Sequence, residues 1–150
     1  MLSLKITDLK ALTSLIFTQN TFDQFLCYSV LLRSRFELSI DGRSDEGLAS
    51  WENVRPTAYA AIKGSRLPES FRIVLVTKEE TAARFAEKAG FKECPVSSLS
   101  LNFHYQAETL TVTTGISLKA FTPDKTVEKA WDESVKTFFT SHGIGFEAYD

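Results

Sequence analysis

The sequence has few cysteines, and their placement excludes two common kinds of small-domain stabilisation. Only Cys27 and Cys94 occur among the 150 residues. A disulfide scaffold needs a higher cysteine density, and a structural zinc site needs closely spaced ligand pairs that two isolated cysteines lack. We therefore expect two reduced thiols, a cytoplasmic location, and a fold that needs no metal or other cofactor.

Long apolar runs are also missing. The longest uninterrupted runs are short, such as residues 73–76, whereas a membrane-spanning helix needs about 20 apolar residues. Residues 1–17 alternate apolar side chains with Lys5, Asp8 and Lys10, which is unlike a secretory signal. We expect no membrane partner and no signal peptide.

The chain carries no excess of positive charge and no common nucleotide-binding or hydrolase motif. Its formal net charge is −2, whereas proteins that clamp nucleic acid concentrate Lys and Arg on one surface. The patterns Gly-x-x-x-x-Gly-Lys, Gly-x-Gly-x-x-Gly and Gly-x-Ser-x-Gly are absent. We do not expect nucleic acid as the main partner, and no catalytic residue can be named.

What is present is an ordinary globular composition, with 43% hydrophobic and 24% charged residues in 16.8 kDa. A chain of this length forms one domain in most cases. Periodicity predicts the order β-α-β-β-α followed by β-α-β-β-(β)-α. The predicted class is α+β, with a mixed, mostly antiparallel sheet and about four helices.

The repeated element order leaves two interpretations of the domain open. Residues 1–67 and 68–150 align with an offset of about 70 to 75 positions, which is consistent with two duplicated halves. An ordinary α+β alternation explains the same order, because few residues are identical between the halves.

Helix signals place two helices. Asn53 is predicted as the N-cap of one helix, which puts Pro56 in its first turn, leaves Trp51 just before it, and lets Gly64 end it. The segment Thr77 to Glu80 has the form of a capping box and predicts a second helix start.

Strand and loop signals organise the remaining sequence. Residues 72–76 are mostly apolar, as in a central strand covered on both faces. Two alternating segments joined at residues 106–108 predict a hairpin. The polar residues 43–50 predict a long loop, and the tail after Gly143 is expected to be mobile.

Histidines and cysteines have structural explanations. His104 falls on the polar face of a predicted strand, and His142 lies in the last turn of a helix. Cys27 alternates with apolar residues and is expected in the core, and Cys94 precedes a proline in a connection. None has the spacing of a metal site or of a nucleophilic pair.

One loop-and-helix cluster combines positive charge with an exposed aromatic candidate. Arginine forks bind carboxylate or phosphate, and tryptophan offers a stacking surface. The alternative is a tryptophan packed under a loop, with basic residues at helix ends. The candidate ligand-binding residues are Arg43, Trp51, Arg55, Lys63 and Arg66.

Several segments together resemble a known family. They are residues 4–12, 40–43, 54–56, 62–64, 113–115 and 130–132. The sequence resembles an uncharacterised family of about 150-residue proteins from anaerobic Gram-positive bacteria, described as a domain of unknown function. The resemblance spans nearly the whole chain, implies one cytoplasmic domain, and implies no activity.

Three functional hypotheses remain open at this point. The first is a non-enzymatic module that binds a protein partner or a ligand. The second is a small enzyme or anionic-ligand-binding protein that uses the cluster at residues 41–66. The third is a clamp-like, nucleic-acid-associated protein, for which only the repeated topology argues.

Overall fold

The computed structural model describes residues 2–63 and 68–149. Within these ranges it contains four helices and nine strands. The helices are α1 Leu9–Phe17, α2 Trp51–Ile62, α3 Glu79–Lys88 and α4 Thr126–Ser141. The strands are β1 Ser3–Ile6, β2 Leu26–Arg33, β3 Glu37–Asp41, β4 Arg43–Ser44, β5 Gly47–Ser50, β6 Ser70–Val76, β7 Val96–Gln106, β8 Thr109–Leu118 and β9 Phe146–Tyr149.

The strands form one sheet in the order β4-β5-β2-β6-β7-β8-β1-β9. β3 and β5 share one edge of β2, because β6 pairs along the whole of its other edge. Every strand pair described is antiparallel. The α+β class with about four helices and a mostly antiparallel sheet is thus confirmed.

The helices cover one face of this sheet and leave the other open. In β6, Phe71, Ile73 and Leu75 are buried, whereas Arg72 between them is exposed. This alternation is typical of an antiparallel sheet with one covered face. β6 is central, as predicted, but the prediction that both its faces are covered is wrong.

Aromatic side chains join the helices to the sheet. The ring of Phe17 in α1 lies 5.5 Å from Phe71, edge to face. The ring of Phe22, in the loop after α1, lies 5.4 Å from Phe103 of β7. Such tilted contacts add to the stabilisation from burial alone. The core therefore lies between the helices and the covered face of the sheet.

The start of α2 differs from the prediction. Ser50, not Asn53, is the N-cap, and its side chain accepts a hydrogen bond from the Asn53 amide at 3.2 Å. Pro56 lies inside the helix rather than in its first turn. Pro56 has no N–H group to donate within the helix, which costs free energy. Burial of Trp51 as the first helical residue offsets this cost. Gly64, the predicted end of this helix, lies outside the described residues.

The capping box predicted at Thr77 is also wrong. α3 begins after Lys78, which makes no side-chain capping bond. Thr77 Oγ1 instead accepts the amide of Leu99 at 3.0 Å, and the Thr77 amide donates to the Leu99 carbonyl at 2.9 Å. Pairing with β7 has therefore taken the hydroxyl that the local pattern assigned to the helix. At α1, by contrast, a local side chain caps the helix, because Asp8 Oδ1 accepts the Ala11 amide at 3.1 Å.

Two segments predicted to lack structure are strands. Residues 43–50 form the small hairpin of β4 and β5, which continues onto the edge of β2. The tail after Gly143 forms β9, which pairs with β1 from Ser3 to Ile6. β4 pairs locally with β5, but β5 and β9 each pair with a strand that is remote in sequence, and the local composition did not reveal these two pairings.

The hairpin predicted around residues 106–108 is confirmed as β7 and β8. Its turn consists of Ala107 and Glu108, with φ angles of 51° and 61°. Consecutive residues with positive φ match the twist of tight hairpin turns, where glycine or asparagine is usual.

Strand pairing crosses the boundary between the two predicted halves. β6 pairs with both β2 and β7, whereas its counterpart β1 pairs with β8 and β9. The duplication of a single unit stays a prediction. None of the helices in the described ranges combines the length and apolar character that crossing a bilayer requires.

Candidate functional site

Arg43 lies at the edge of the sheet and binds a carboxylate of its own chain. Its Nε and Nη2 donate to Asp41 Oδ1 and Oδ2 at 2.9 and 3.1 Å. Its guanidinium also lies over the ring of Tyr28, 5.3 Å from the centroid. Hydrogen bonds from the Arg43 side chain hold the pKa of Asp41 below its ordinary value.

Trp51 is completely buried. Its Nε1 donates to the carbonyl of Ile16 at 3.3 Å, and its ring lies 6.5 Å from that of Phe17. A ring in this position has no face for a ligand. The stacking role predicted for Trp51 is therefore corrected, and its function is to join α2 to α1.

Arg55 binds Asp23 through two parallel hydrogen bonds of 2.9 Å. The two side chains are only 20% and 12% exposed, so solvent screens this pair far less than a surface pair. Asp23 belongs to the loop between α1 and β2, which also carries Phe22 and Phe25. Arg55 thus holds the position of this loop.

The last two predicted residues add little to a common site. Lys63 is exposed and follows the end of α2, and Arg66 lies outside the described residues. Both described arginines of the cluster bind carboxylates of the chain itself. That the five residues bind an anion together stays a prediction, and the arginine pairs have an evident structural role.

A different set of residues forms an apolar cavity in the helical layer, here called the aromatic pocket. It has a volume of about 160 Å³ and lies between the loop after α1, the strand β7 and the helix α4. The lining is apolar except for one hydroxyl group. The lining residues are Phe22, Phe25, Leu101, Trp131, Ser134, Val135 and Phe138.

The walls of the aromatic pocket are held by contacts outside it. Trp131 Nε1 donates to the carbonyl of Ser100 at 3.1 Å, and its ring meets Phe85 of α3 edge to face at 5.6 Å. The ring of Phe138 lies 4.2 Å from that of His142, whose Nδ1 is 2.8 Å from the Phe138 carbonyl. These contacts restrict the rotamers of both rings, so the pocket is largely preformed.

The loop that forms the opposite wall is bonded to α2. The Trp51 amide donates to the carbonyl of Phe25 at 3.0 Å. Two residues before Phe25 in the same loop, Asp23 accepts the hydrogen bonds of Arg55. Phe22 is almost completely buried and its ring lies 5.5 Å from Phe138. Phe25 is half-buried at the mouth. The sequence cluster therefore contributes to the pocket indirectly.

A second cavity, here called the polar cavity, adjoins the first. It also has a volume of about 160 Å³, and Phe25 lines both. Its other residues come from the loop after α1 and from the start of α3. They are Gln24, Thr77, Lys78, Glu80, Thr81 and Arg84.

The residues capable of nucleophilic or metal chemistry lie apart. Burial raises the pKa of the Cys27 thiol to about 11, and Cys94 Sγ lies 3.6 Å from the carbonyl of Ala120. His104 lies on the open sheet face, between Arg72 and Thr111 of the neighbouring strands. Residues 2–63 and 68–149 contain no group of three or more His, Cys, Asp or Glu side chains that would hold a metal ion.

The aromatic pocket was only partly foreseeable. Trp131, Ser134, Val135 and Phe138 recur at helical spacing, and this pattern predicts a buried stripe rather than a cavity wall. Phe22 indicates a further apolar contact, because a phenylalanine in a polar turn needs an apolar partner elsewhere in the fold. That partner is not visible in the local sequence.

A family model described as a family of unknown function, DUF5721, matches residues 15–147. The chain belongs to this family. No curated protein and no solved structure matches this DUF5721 chain. The resemblance to a domain of unknown function is thus confirmed at the level of the family, and the DUF5721 match covers every residue of the aromatic pocket.

Proposed function

We propose that the protein is a non-enzymatic ligand-binding domain, and that the aromatic pocket binds one small apolar group. The observation that carries this proposal is a cavity of about 160 Å³ with an almost entirely apolar lining. A cavity of about 150 Å³ lined by apolar residues is large enough for a benzene ring. The proposal therefore limits the bound group to a single ring or a branched aliphatic group.

The chemistry of the lining favours an apolar ligand over water. A well-held water molecule needs two to four polar partners, and Ser134 supplies the only side-chain hydroxyl group. Water in the pocket is therefore held weakly, and its displacement by an apolar group is favourable. At about 25 cal/mol per Å², burying about 150 Å² of ligand surface gives about 4 kcal/mol, a dissociation constant near 1 mM.

The test measures binding of toluene and indole by NMR titration and by thermal shift. At ten times the dissociation constant, a ligand that binds only the native state raises the melting temperature by about 3 to 5 °C for a domain of this size. We expect Ser134→Phe to fill the mouth of the pocket and to abolish this shift. Thr140→Phe is the matched control, because Thr140 is an exposed hydroxyl residue on the opposite side of α4.

Two results would contradict the proposal. One is the absence of any chemical-shift change at Phe22, Phe25 or Trp131 with 10 mM indole, ten times the dissociation constant of about 1 mM expected from burial. The other is equal probe binding by wild type and by folded Ser134→Phe protein. Equal loss in Ser134→Phe and Thr140→Phe would mean that the added ring acts through stability rather than through the pocket.

Two further attributes belong to the proposal. An origin in anaerobic Gram-positive bacteria is supported by the resemblance given above. A cytoplasmic setting is supported by two free thiols, one of which is fully buried. The protein-partner and clamp hypotheses stay predictions. The open sheet face, where Leu31 and Tyr28 are exposed, is where a protein partner would first be sought.

A further inference from the structure

We infer that the ligand is a small aromatic acid, whose ring occupies the aromatic pocket and whose carboxylate lies in the polar cavity. The inference rests on the proposed function, because it extends the same site by the adjoining cavity. It assigns a charge to the ligand, which the aromatic pocket alone does not determine.

The two cavities share one lining residue, Phe25. In the proposed arrangement the ligand ring packs against Phe25 in the aromatic pocket, and its chain extends past that ring into the polar cavity. Each cavity has a volume of about 160 Å³, and together they match the lower end of the range of roughly 300–1,000 Å³ typical of small-ligand sites. A ring with a short chain and one carboxylate has this size, whereas a dinucleotide or a haem does not.

The polar cavity has a net positive charge. Lys78 and Arg84 supply two cations and Glu80 one carboxylate. None of the three has an ion pair or a side-chain hydrogen bond among the described residues. The neighbouring carboxylate of Glu79 is bound by Lys119. The positive charge facing the cavity is therefore available to an anion.

The remaining donors suit a carboxylate as well. Gln24 and Thr81 line the cavity with an amide and a hydroxyl group. The Thr77 hydroxyl oxygen accepts the Leu99 amide and still carries its own hydrogen, which can donate to a carboxylate. Arginine binds carboxylates through two parallel hydrogen bonds, so Arg84 is the side chain expected to orient the ligand.

The experiment compares charged and neutral ligands of the same shape. The probes are benzoate, phenylacetate, 3-phenylpropionate and 4-phenylbutyrate, the amide of each, and phenethylamine. Because exposed ion pairs contribute modestly, we expect the best acid to bind about three- to tenfold more tightly than its amide at low salt. The best chain length measures the distance between the two cavities.

The variants separate the acid from the ring. Arg84→Gln is expected to lower the affinity for the acid to that for the amide and to leave the amide unchanged. Lys88→Gln is the matched control, because it removes a cation from the last turn of α3, away from the cavity. Glu80→Gln is expected to tighten binding of the acid, since it removes the only carboxylate of the cavity.

The outcomes distinguish the inference from the proposed function. If neither acids nor amides bind, both fail. If acid and amide bind equally and Arg84→Gln has no effect, the inference is overturned and the aromatic pocket stands. Tighter binding of phenethylamine than of the acids would also overturn it, because Glu80 would then determine the charge of the ligand.

Discussion

Among the glycines that the structure describes, Gly42 is the one where an added methyl group should destabilise the fold most. Gly42 lies between β3 and β4, where the chain leaves β3, which pairs with β2, and enters the hairpin of β4 and β5. A Cβ atom at Gly42 would lie 1.7 Å from the carbonyl oxygen of Cys27 and 2.8 Å from its carbonyl carbon. Both atoms are backbone, so no side-chain rotation relieves the contact.

The expected loss of unfolding free energy in Gly42→Ala follows from the two backbone segments that the added Cβ atom would push apart. The segment at Gly42 and strand β2 have to separate by roughly 1.3 Å before the distance from the added Cβ atom to the Cys27 carbonyl oxygen reaches 3.0 Å. A close-packed sheet does not open so far without losing hydrogen bonds. The Gly42 amide donates to Tyr28 at 3.0 Å, and the Gly42 carbonyl accepts the Ala49 amide at 2.8 Å. Two hydrogen bonds at about 1 kcal/mol each and about 1–3 kcal/mol of overpacking give about 3–5 kcal/mol.

The assay is urea denaturation of Gly42→Ala beside Gly115→Ala. Gly115 provides the matched control, because a Cβ atom there would meet only the side chain of Ser100, with Oγ at 2.6 Å and Cβ at 4.0 Å. The Ser100 hydroxyl can rotate to another staggered position, so we expect a loss below about 1 kcal/mol. The reasoning is refuted if Gly42→Ala lowers the free energy of unfolding no more than Gly115→Ala does.

Two further predictions concern ion pairs. Arg55→Met should lower the free energy of unfolding by about 2 kcal/mol, because it leaves the Asp23 carboxylate unpaired and partly buried, and it should also weaken toluene binding by loosening the Phe22 and Phe25 loop. Arg33→Met, which removes an exposed pair of 3.5 Å with Glu37, should cost less than about 0.5 kcal/mol; equal losses in urea denaturation would contradict the assignment. Arg43→Gln should raise the pKa of Asp41 towards its ordinary value, as measured by carboxyl NMR titration, and an unchanged titration would show that Arg43 is not the cause. Because the folded pKa of Asp41 is lowered, its stabilising effect is present above the unfolded pKa and is lost as the pH falls through the folded value.

Local patterns predicted the elements whose partners are adjacent in sequence. The hairpin of β7 and β8 and the helix α4 were foreseeable, because alternation and helical spacing identify them without outside information. The cap of α1 by Asp8 is equally local. In each case the residues that decide the structure lie within one turn or one hairpin.

Predictions failed where a distant segment competed for the same group. Thr77 has the sequence of a capping box, but its hydroxyl binds the amide of Leu99, 22 residues away. The chain near Gly143 has the composition of a mobile tail, but β1 at the other end of the chain provides a free strand edge. Propensity is a weak guide whenever tertiary pairing offers stronger bonds.

The candidate site follows the same division. Positive charge and a tryptophan near residue 50 predicted a ligand site that includes Arg43, Trp51 and Arg55. Sequence alone did not reveal that both arginines bind carboxylates of the chain itself. The aromatic pocket depends on Phe22 meeting Phe138, which are far apart in the sequence. Arg55 links the predicted cluster to the aromatic pocket, because its hydrogen bonds to Asp23 position the loop that forms one wall of the pocket.

The sequence by itself determined the α+β class and the family to which the chain belongs. The class depends on periodicity and the family on particular sequence segments, and both are read from neighbouring residues. The tertiary structure alone decided that the helices cover a single face, that the tail becomes an edge strand, and that a cavity lies beside Trp131. Each of these depends on which distant surfaces meet, and burial and backbone pairing between remote segments settle that choice.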